Sequence, residues 1–206
     1  MGFLSEDEAR KTIEQAQREL EVLPDAQAYY NQATAELYLG RIEDAASHFR
    51  QALRLKPDFA AAWVNLGGAL LRLGKLEEAE AANKRAIEAD PDLTAGYLNL
   101  GLIHLNRGEW EEAARIYEQA LSLDMLNPEA HASLGMAYLK TDNLDKAIEE
   151  GMKAIGQRPG FGAAYELVCA AYAEQGDNAA ANAHCEMAEK LGYPISEEVR
   201  GRIGRA

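Results

Sequence analysis

Apolar and small residues recur along this chain at a fixed interval, with polar residues between them. Trp63, Leu66 and Gly67 are followed by Gly74, Ala79, Ala86 and Pro91. Tyr97, Leu100 and Gly101 are followed by Gly108, Ala113 and Ala120, and His131, Leu134 and Gly135 by Ala147, Ala154 and Pro159. The step from Gly67 to Gly101 to Gly135 is 34 residues each time. One step back lie Tyr29, Ala33, Gly40, Ala45, Ala52 and Pro57; one step forward lie Tyr165, Cys169, Gly176, Ala181 and Ala188. Five ungapped copies therefore fill 26–195, with units at 26–59, 60–93, 94–127, 128–161 and 162–195. A period of this size predicts one supersecondary unit per copy, each burying its apolar face against its neighbours.

Each copy predicts two helices and a turn. In the second, the first helix spans about 60–73 and the second about 76–89. Small residues are expected where the two helices cross, with Gly67 opposite Ala79 and Gly101 opposite Ala113. Gly40, Gly74, Gly108 and Gly176 occupy the turn, where a positive φ is free of cost only for glycine. The fourth copy carries Asp142-Asn143 there, and Asn tolerates that conformation. Pro57, Pro91 and Pro159 end the second helix. In the third copy Met125 replaces that proline and Pro128 falls in the next helix's first turn, where it is acceptable.

The ends depart from the period. Ser5 and Glu8 form a capping box, and Ala9, Ile13, Ala16, Leu20 and Leu23 make one apolar stripe that Pro24 ends. Residues 1–25 thus read as an amino-terminal cap. Residues 196–206 read as a second cap, in which Ile195, Val199 and Ile203 dock on the last hairpin while Arg200, Arg202 and Arg205 face solvent. Gly151, Gly156, Gly160 and Gly162 make the carboxy-terminal third the loosest part, since a mid-helix glycine costs about 1 kcal/mol relative to alanine.

An aromatic, Leu-Gly, a turn Gly, two Ala and a Pro in 34 residues resemble the tetratricopeptide repeat over about four fifths of the chain. The resemblance implies an all-α, right-handed superhelical solenoid of five helix hairpins. It also implies that the functional surface is a concave face lined by the first helix, helix A, of each hairpin.

Charge narrows the partners. The net charge is −13, which disfavours phosphate backbones and anionic lipid, so neither nucleic acid nor a membrane surface is an expected partner. The acidity reads either as solubility of an exposed helical array or as a preference for basic partners. Met1 to Glu8 has no basic segment followed by an apolar run, and Glu6 breaks the myristoylation pattern that Gly2 would begin. With two cysteines and no export signal, a cytoplasmic location is expected.

No constellation of nucleophile, base and orienting group stands out, so neither enzyme activity nor a cofactor is expected. The pairs Glu77-Glu78, Glu111-Glu112 and Glu149-Glu150 recur with the period as solvated faces. His48 and His184 share one position and read as surface residues. His104 and His131 read as hydrogen-bonded contacts between repeats, with no third group to complete a metal site. Cys169 and Cys185 replace the helix A glycine and a helix B aromatic within one hairpin, so they are either bonded or small apolar fillers.

Helix A carries two further stripes. Asn31, Asn65 and Asn99 hold one position in successive copies, continued by Ser133 and broken by Leu167. An Asn side chain both donates and accepts, so this stripe resembles the asparagine ladders with which arrays of this family grip a main chain. Tyr30, Val64, Leu98, Leu102 and Met136, with the series Leu37, Leu71, Leu105 and Leu139, make an apolar stripe; Arg72 and Lys140 stand at its edge. The leucine series has a second reading as core between adjacent A helices. The two-carboxylate clamp of chaperone-binding relatives is not expected, because its basic positions hold Tyr30, Ala95 and Asn99, or Ala61 and Asn65. The reading is a non-enzymatic adaptor or assembly factor holding a partner peptide or helix with apolar side chains. The alternatives are a self-assembling scaffold and a regulatory or maturation subunit of an enzyme complex.

Overall fold

Turn residues in a positive-φ conformation divide the chain into its helices. Gly40, Gly74, Gly108 and Gly176 have φ of +75, +72, +73 and +80°, and Asp142 holds the same turn at +59°. The left-handed residue of the fourth turn is thus Asp142, with Asn143 following as the N-cap of the next helix. The computed structural model describes residues 5–204. In order, the helices are α1 Glu6–Val22, α2 Ala26–Tyr38, α3 Ile42–Leu55, α4 Ala60–Arg72, α5 Leu76–Ala89 and α6 Thr94–Arg107. They continue as α7 Trp110–Leu123, α8 Pro128–Lys140, α9 Leu144–Gln157, α10 Gly162–Gln175, α11 Asn178–Lys190 and α12 Glu197–Ile203. The all-α class and the hairpin organisation expected from the spacing are what the structure has.

The chain separates into two compact units, Met1–Ile103 and His104–Ala206, with the division falling in α6. In the first unit α1 packs on α2, α2 on α3, α3 on α4 and α4 on α5, and the A helices α2 and α4 also touch. In the second, α7 packs on α8, α8 on α9, α9 on α10 and α10 on α11; the A helices α8 and α10 meet, and α12 lies against α10 and α11. Alanine provides the close approach in both units. Ala45, Ala52, Ala79, Ala86, Ala113, Ala120, Ala147 and Ala154 are fully buried, and Phe49 is the largest fully buried side chain.

Helix crossings add a neighbour to the expected pairing. A Cβ on Gly135 would lie 3.1 Å from the Ala147 carbonyl oxygen, the glycine–alanine register expected, whereas a Cβ on Gly67 would first meet Asn83, 2.7 Å from its Cγ. The same 16-residue offset joins Cys169 to Cys185, which form a disulfide across 5.3 Å between Cα atoms. Of the two readings of this cysteine pair, the bonded one is what the structure shows. Titration of the native, non-reduced chain is therefore expected to find no free thiol, and two reactive thiols would contradict the bond.

Both ends are capped by packing. Ser5 Oγ accepts from Glu8 N at 3.2 Å while Glu8 Oε2 accepts from Ser5 N at 2.8 Å, closing the expected box. Ala9 and Ile13 pack with Ala35 and Leu39 of the first hairpin. Leu23, placed in that stripe from the sequence, is exposed instead, because the backbone is already extended there at φ −153°. Ile195 and Val199 join Cys169, Ala173 and Cys185 in one cluster, with Ile203 at its edge. Arg200 and Arg202 are paired with Glu189 and Glu174 and are not merely solvated, since α12 lies close to α10 and α11. Arg205 and the amino-terminal Met1 to Leu4 lie outside the described residues.

Candidate interaction surface

The asparagine stripe lies within the first unit, and its three members differ. Asn31 on α2 is exposed, and its Oδ1 accepts from Gln27 Nε2 one turn earlier at 2.8 Å. Asn65 on α4 is half-buried and donates from Nδ2 to the Tyr30 hydroxyl at 3.1 Å. Asn99 on α6 donates to Asn83 Oδ1 at 3.0 Å and reaches the Val64 carbonyl at 3.4 Å. The Val64 oxygen can only accept, so it fixes which end of the Asn99 amide is nitrogen. Asn65 and Asn99 each reach back 35 residues, to the A helix of the preceding repeat. The amide nitrogen therefore ties successive repeats together, and among the described residues no hydrogen bond is made to Oδ1 of Asn65 or Asn99.

Asn83 is a member of this network that the sequence reading missed. It is fully buried on α5, donates to the Ala79 carbonyl at 2.8 Å and accepts from Asn99. The available signal was its register: Asn83 stands where other copies hold Phe49 and Tyr117. A buried amide in an aromatic's place needs partners, because an unpaired one costs roughly 1–3 kcal/mol.

The apolar stripe is unevenly open. Tyr30 is half-buried, its ring 4.8 Å from Phe59 and 5.8 Å from Phe49 between centroids. Val64 is only 9% exposed and Leu98 is half-buried, whereas Leu102 is 42% exposed. Leu37 and Leu71 are half-buried in this unit. Arg72 is exposed at the last turn of α4, where a cation complements the helix C-terminus.

In the second unit, Ser133 and Met136 are half-buried on α8, and burial pushes the Tyr117 phenol up, which nearby Ser133 partly opposes. Leu139 packs on the disulfide cluster, which favours the core reading for that leucine. Lys140 is exposed at the last turn of α8. It faces Glu166 of α10, where burial holds the carboxyl above the usual glutamate range and the Lys140 charge partly opposes this. A raised carboxyl means that stability is fullest below the unfolded value, about 4.3, and falls as pH rises through the folded value. Glu166→Gln is therefore expected to raise the thermal midpoint at pH 7 and to leave it unchanged near pH 3.5; equal midpoints at pH 7 would contradict this.

The histidines mark a position common to both units. His48 stacks on Tyr29 at 6.1 Å, and His184 is tilted on Tyr165 at 6.3 Å. His48 also binds Glu36 at 2.7 Å, so neither residue is the plain surface group expected. The reason is register: a residue 19 positions after the helix A aromatic lies over that ring. At this position in α9 is Glu150, bound to His131 Nδ1 at 2.6 Å and to Lys153 Nζ at 2.7 Å. His131 is buried, and its Nε2 donates to the Met125 carbonyl at 3.1 Å. His104 is hydrogen-bonded to Glu109. Both are hydrogen-bonded, but only the His131–Met125 bond joins two repeats as expected; Glu109 and Glu150 lie in the same repeats as their histidines. Among the described residues, no three His, Cys, Asp or Glu side chains are placed to hold a metal ion, and no helix is long and apolar enough to cross a membrane.

Fold and surface together define an all-α array of helical hairpins that presents amide and apolar side chains from its A helices. The tetratricopeptide repeat family model matches residues 30–94 and 98–160, more than half of the chain, and the chain belongs to that family. Among solved structures, MamA aligns with a TM-score of 0.71 at 24% identity, over 78% of this chain and 94% of MamA. MamA from Desulfovibrio magneticus RS-1 aligns at 0.74 and 21% identity, over 81% and 94%. YrrB, a tetratricopeptide repeat protein with an unusual peptide-binding site, aligns at 0.73 and 20% identity, over 98% and 100%. At these identities the likeness is one of fold. No curated protein matches the chain significantly.

Proposed function

We infer that this protein is a non-enzymatic adaptor that holds a partner peptide on the A-helix face of its first unit. The observation that carries the reading is the asparagine pair: Asn65 and Asn99 bond the preceding repeat through their nitrogens, so their carbonyl oxygens would be the groups to meet a ligand. A row of acceptors suits the N–H groups of an extended main chain or the ammonium and guanidinium groups of a basic partner. That preference agrees with a net charge of −13. Leu102 and the Tyr30 ring would meet the partner's apolar side chains. A cytoplasmic setting and the peptide-binding character of YrrB fit this reading.

The test is quantitative capture from an extract of the source organism with the native chain and with Asn65→Ala/Asn99→Ala, checked for unchanged helicity by circular dichroism. Two lost hydrogen bonds at about 1 kcal/mol each predict a loss of about 30-fold in partner affinity. Equal capture by both chains would remove the asparagines from the site. The second reading is a self-assembling scaffold, favoured by the exposed loop residues Met125 and Leu126. It predicts concentration-dependent light scattering that the two substitutions leave unchanged.

A further inference from the structure

The two units contain the same inter-helix cleft, 68 residues apart, with shared leucines and different side chains around them. In the second unit, a cavity of about 470 Å³ is lined by Glu118, His131, Leu134, Tyr138, Glu150 and Lys153, among others. In the first, a cavity of about 460 Å³ has Arg50, Trp63, Leu66, Leu70, Ala82 and Arg85 at the matching positions. The pairs share their architecture to the level of one hydrogen bond. Trp63 Nε1 donates to the Pro57 carbonyl at 2.8 Å, as His131 Nε2 does to Met125.

What differs is the residue over the ring. His48, Glu150 and His184 cover the helix A ring of their own hairpins, as described above. Over Trp63 the corresponding residue is Ala82, which leaves one wall of the cleft to Trp63, Leu53, Leu66 and Leu70. In the second unit the covering carboxylate, Glu150, is held by Lys153 three residues later. In the first unit that cation is retained as Arg85, but its carboxylate is missing. Arg50 and Arg54 complete a rim of three guanidinium groups on a chain of net charge −13.

One carboxylate, Glu78, lines the same cleft, so the rim carries three cations and one anion, and the arginines' partners are partly exposed. Arg50 bonds Glu78 at 2.7 Å, Arg85 bonds Glu88 at 2.9 Å and Arg54 reaches Gln51 at 3.4 Å. The Arg50 and Arg85 pairs are about half exposed. Such pairs contribute about 0–1 kcal/mol, and a guanidinium has five donors, so an incoming carboxylate can be accommodated.

We propose that this cleft is a second binding site, separate from the asparagine face. Its occupant is a partner peptide in which an aromatic side chain is flanked by Asp or Glu. The ring covers Trp63 as His48 and His184 cover the tyrosines of their own hairpins, and the carboxylates meet Arg50, Arg54 and Arg85. The two sites then have opposite charge preferences, which would let one chain bring a basic and an acidic segment together.

Trp63 supplies the readout. In a Trp110→Phe chain it is the single tryptophan, and its fluorescence can be followed against a capped peptide of one phenylalanine flanked by two glutamates on each side. A saturable change is expected, with affinity at least about tenfold weaker for the peptide carrying lysines instead. The same loss is expected for Arg50→Gln/Arg85→Gln, two surface changes that leave the fold intact by circular dichroism. Ala82→His should likewise block binding, by giving Trp63 its own cover. No saturable change by about 1 mM peptide, equal binding of the two peptides, or binding untouched by the arginine changes would overturn the proposal. So would shielding of Trp63 from acrylamide that increases with protein concentration, which would assign the cleft to a second copy of the chain.

Discussion

Replacing His131 with alanine is expected to destabilise the second unit by about 3 kcal/mol. Glu150 is bonded to His131 Nδ1 at 2.6 Å, with side-chain exposures of 11% and 9% for the two residues. Removing the imidazole leaves a nearly buried carboxylate whose remaining partner is Lys153, so the loss falls at the low end of the 3–5 kcal/mol seen for broken buried pairs. In a Trp63→Phe background, urea unfolding followed by fluorescence of Trp110, then the single tryptophan, reports this unit. A change under about 1 kcal/mol would mean that the pair contributes no more than a surface contact. The repeat itself provides a rescue. His131→Trp/Glu150→Ala, followed by circular dichroism, recreates the Trp63 and Ala82 arrangement of the first unit and removes both members of the buried hydrogen-bonded pair together. Stability is expected to return to within about 1 kcal/mol of the native chain, since an apolar replacement of a buried ion pair is often neutral.

Gly151→Ala is expected to destabilise the same unit by about 1–2 kcal/mol, although helix propensity alone predicts a gain of about 1 kcal/mol. A Cβ at Gly151 would sit well inside van der Waals contact with Val168 Cγ2, and at 3.4 Å from Leu167 Cδ2. Valine has little freedom to turn away, because its branched Cβ holds one preferred rotamer in a helix. The glycine is thus the partner that lets α9 approach α10, and looseness is not its main consequence. A double-mutant cycle separates the two accounts. With Val168→Ala in place, Gly151→Ala should become neutral or stabilising; if it stabilises with Val168 present, the close approach is not what selects glycine.

The candidate site was legible in part. Asn31, Asn65 and Asn99 could be found because one residue type returned at one position. That Asn99 donates to Asn83 could not, because the two are 16 residues apart on different helices and only the crossing makes them neighbours. His131 was legible as a hydrogen-bonded contact, but its partner was not. Nothing in a run of Glu149-Glu150 tells which carboxylate turns inward. The structure leaves Glu149 exposed and buries Glu150, because Glu150 lies over the helix A ring.

By itself the sequence determined the period, the two helices of each hairpin, the turn positions and both end caps. Those features depend on local chemistry: small residues at crossings, a residue able to adopt positive φ, a proline that ends a helix, and side chains that satisfy helix ends. Only the tertiary structure decided which small residue faces which neighbour, because that depends on how two helices are rotated about their axes. A rotation of one residue position, about 100°, exchanges Glu149 for Glu150, and a shift of one turn exchanges Ala79 for Asn83. The structure also decided that one inter-helix cleft is apolar and rimmed by arginine while its counterpart is lined by His131, Glu150 and Lys153. The 34-residue repeat makes the two clefts alike in backbone and leaves their chemistry to single side chains.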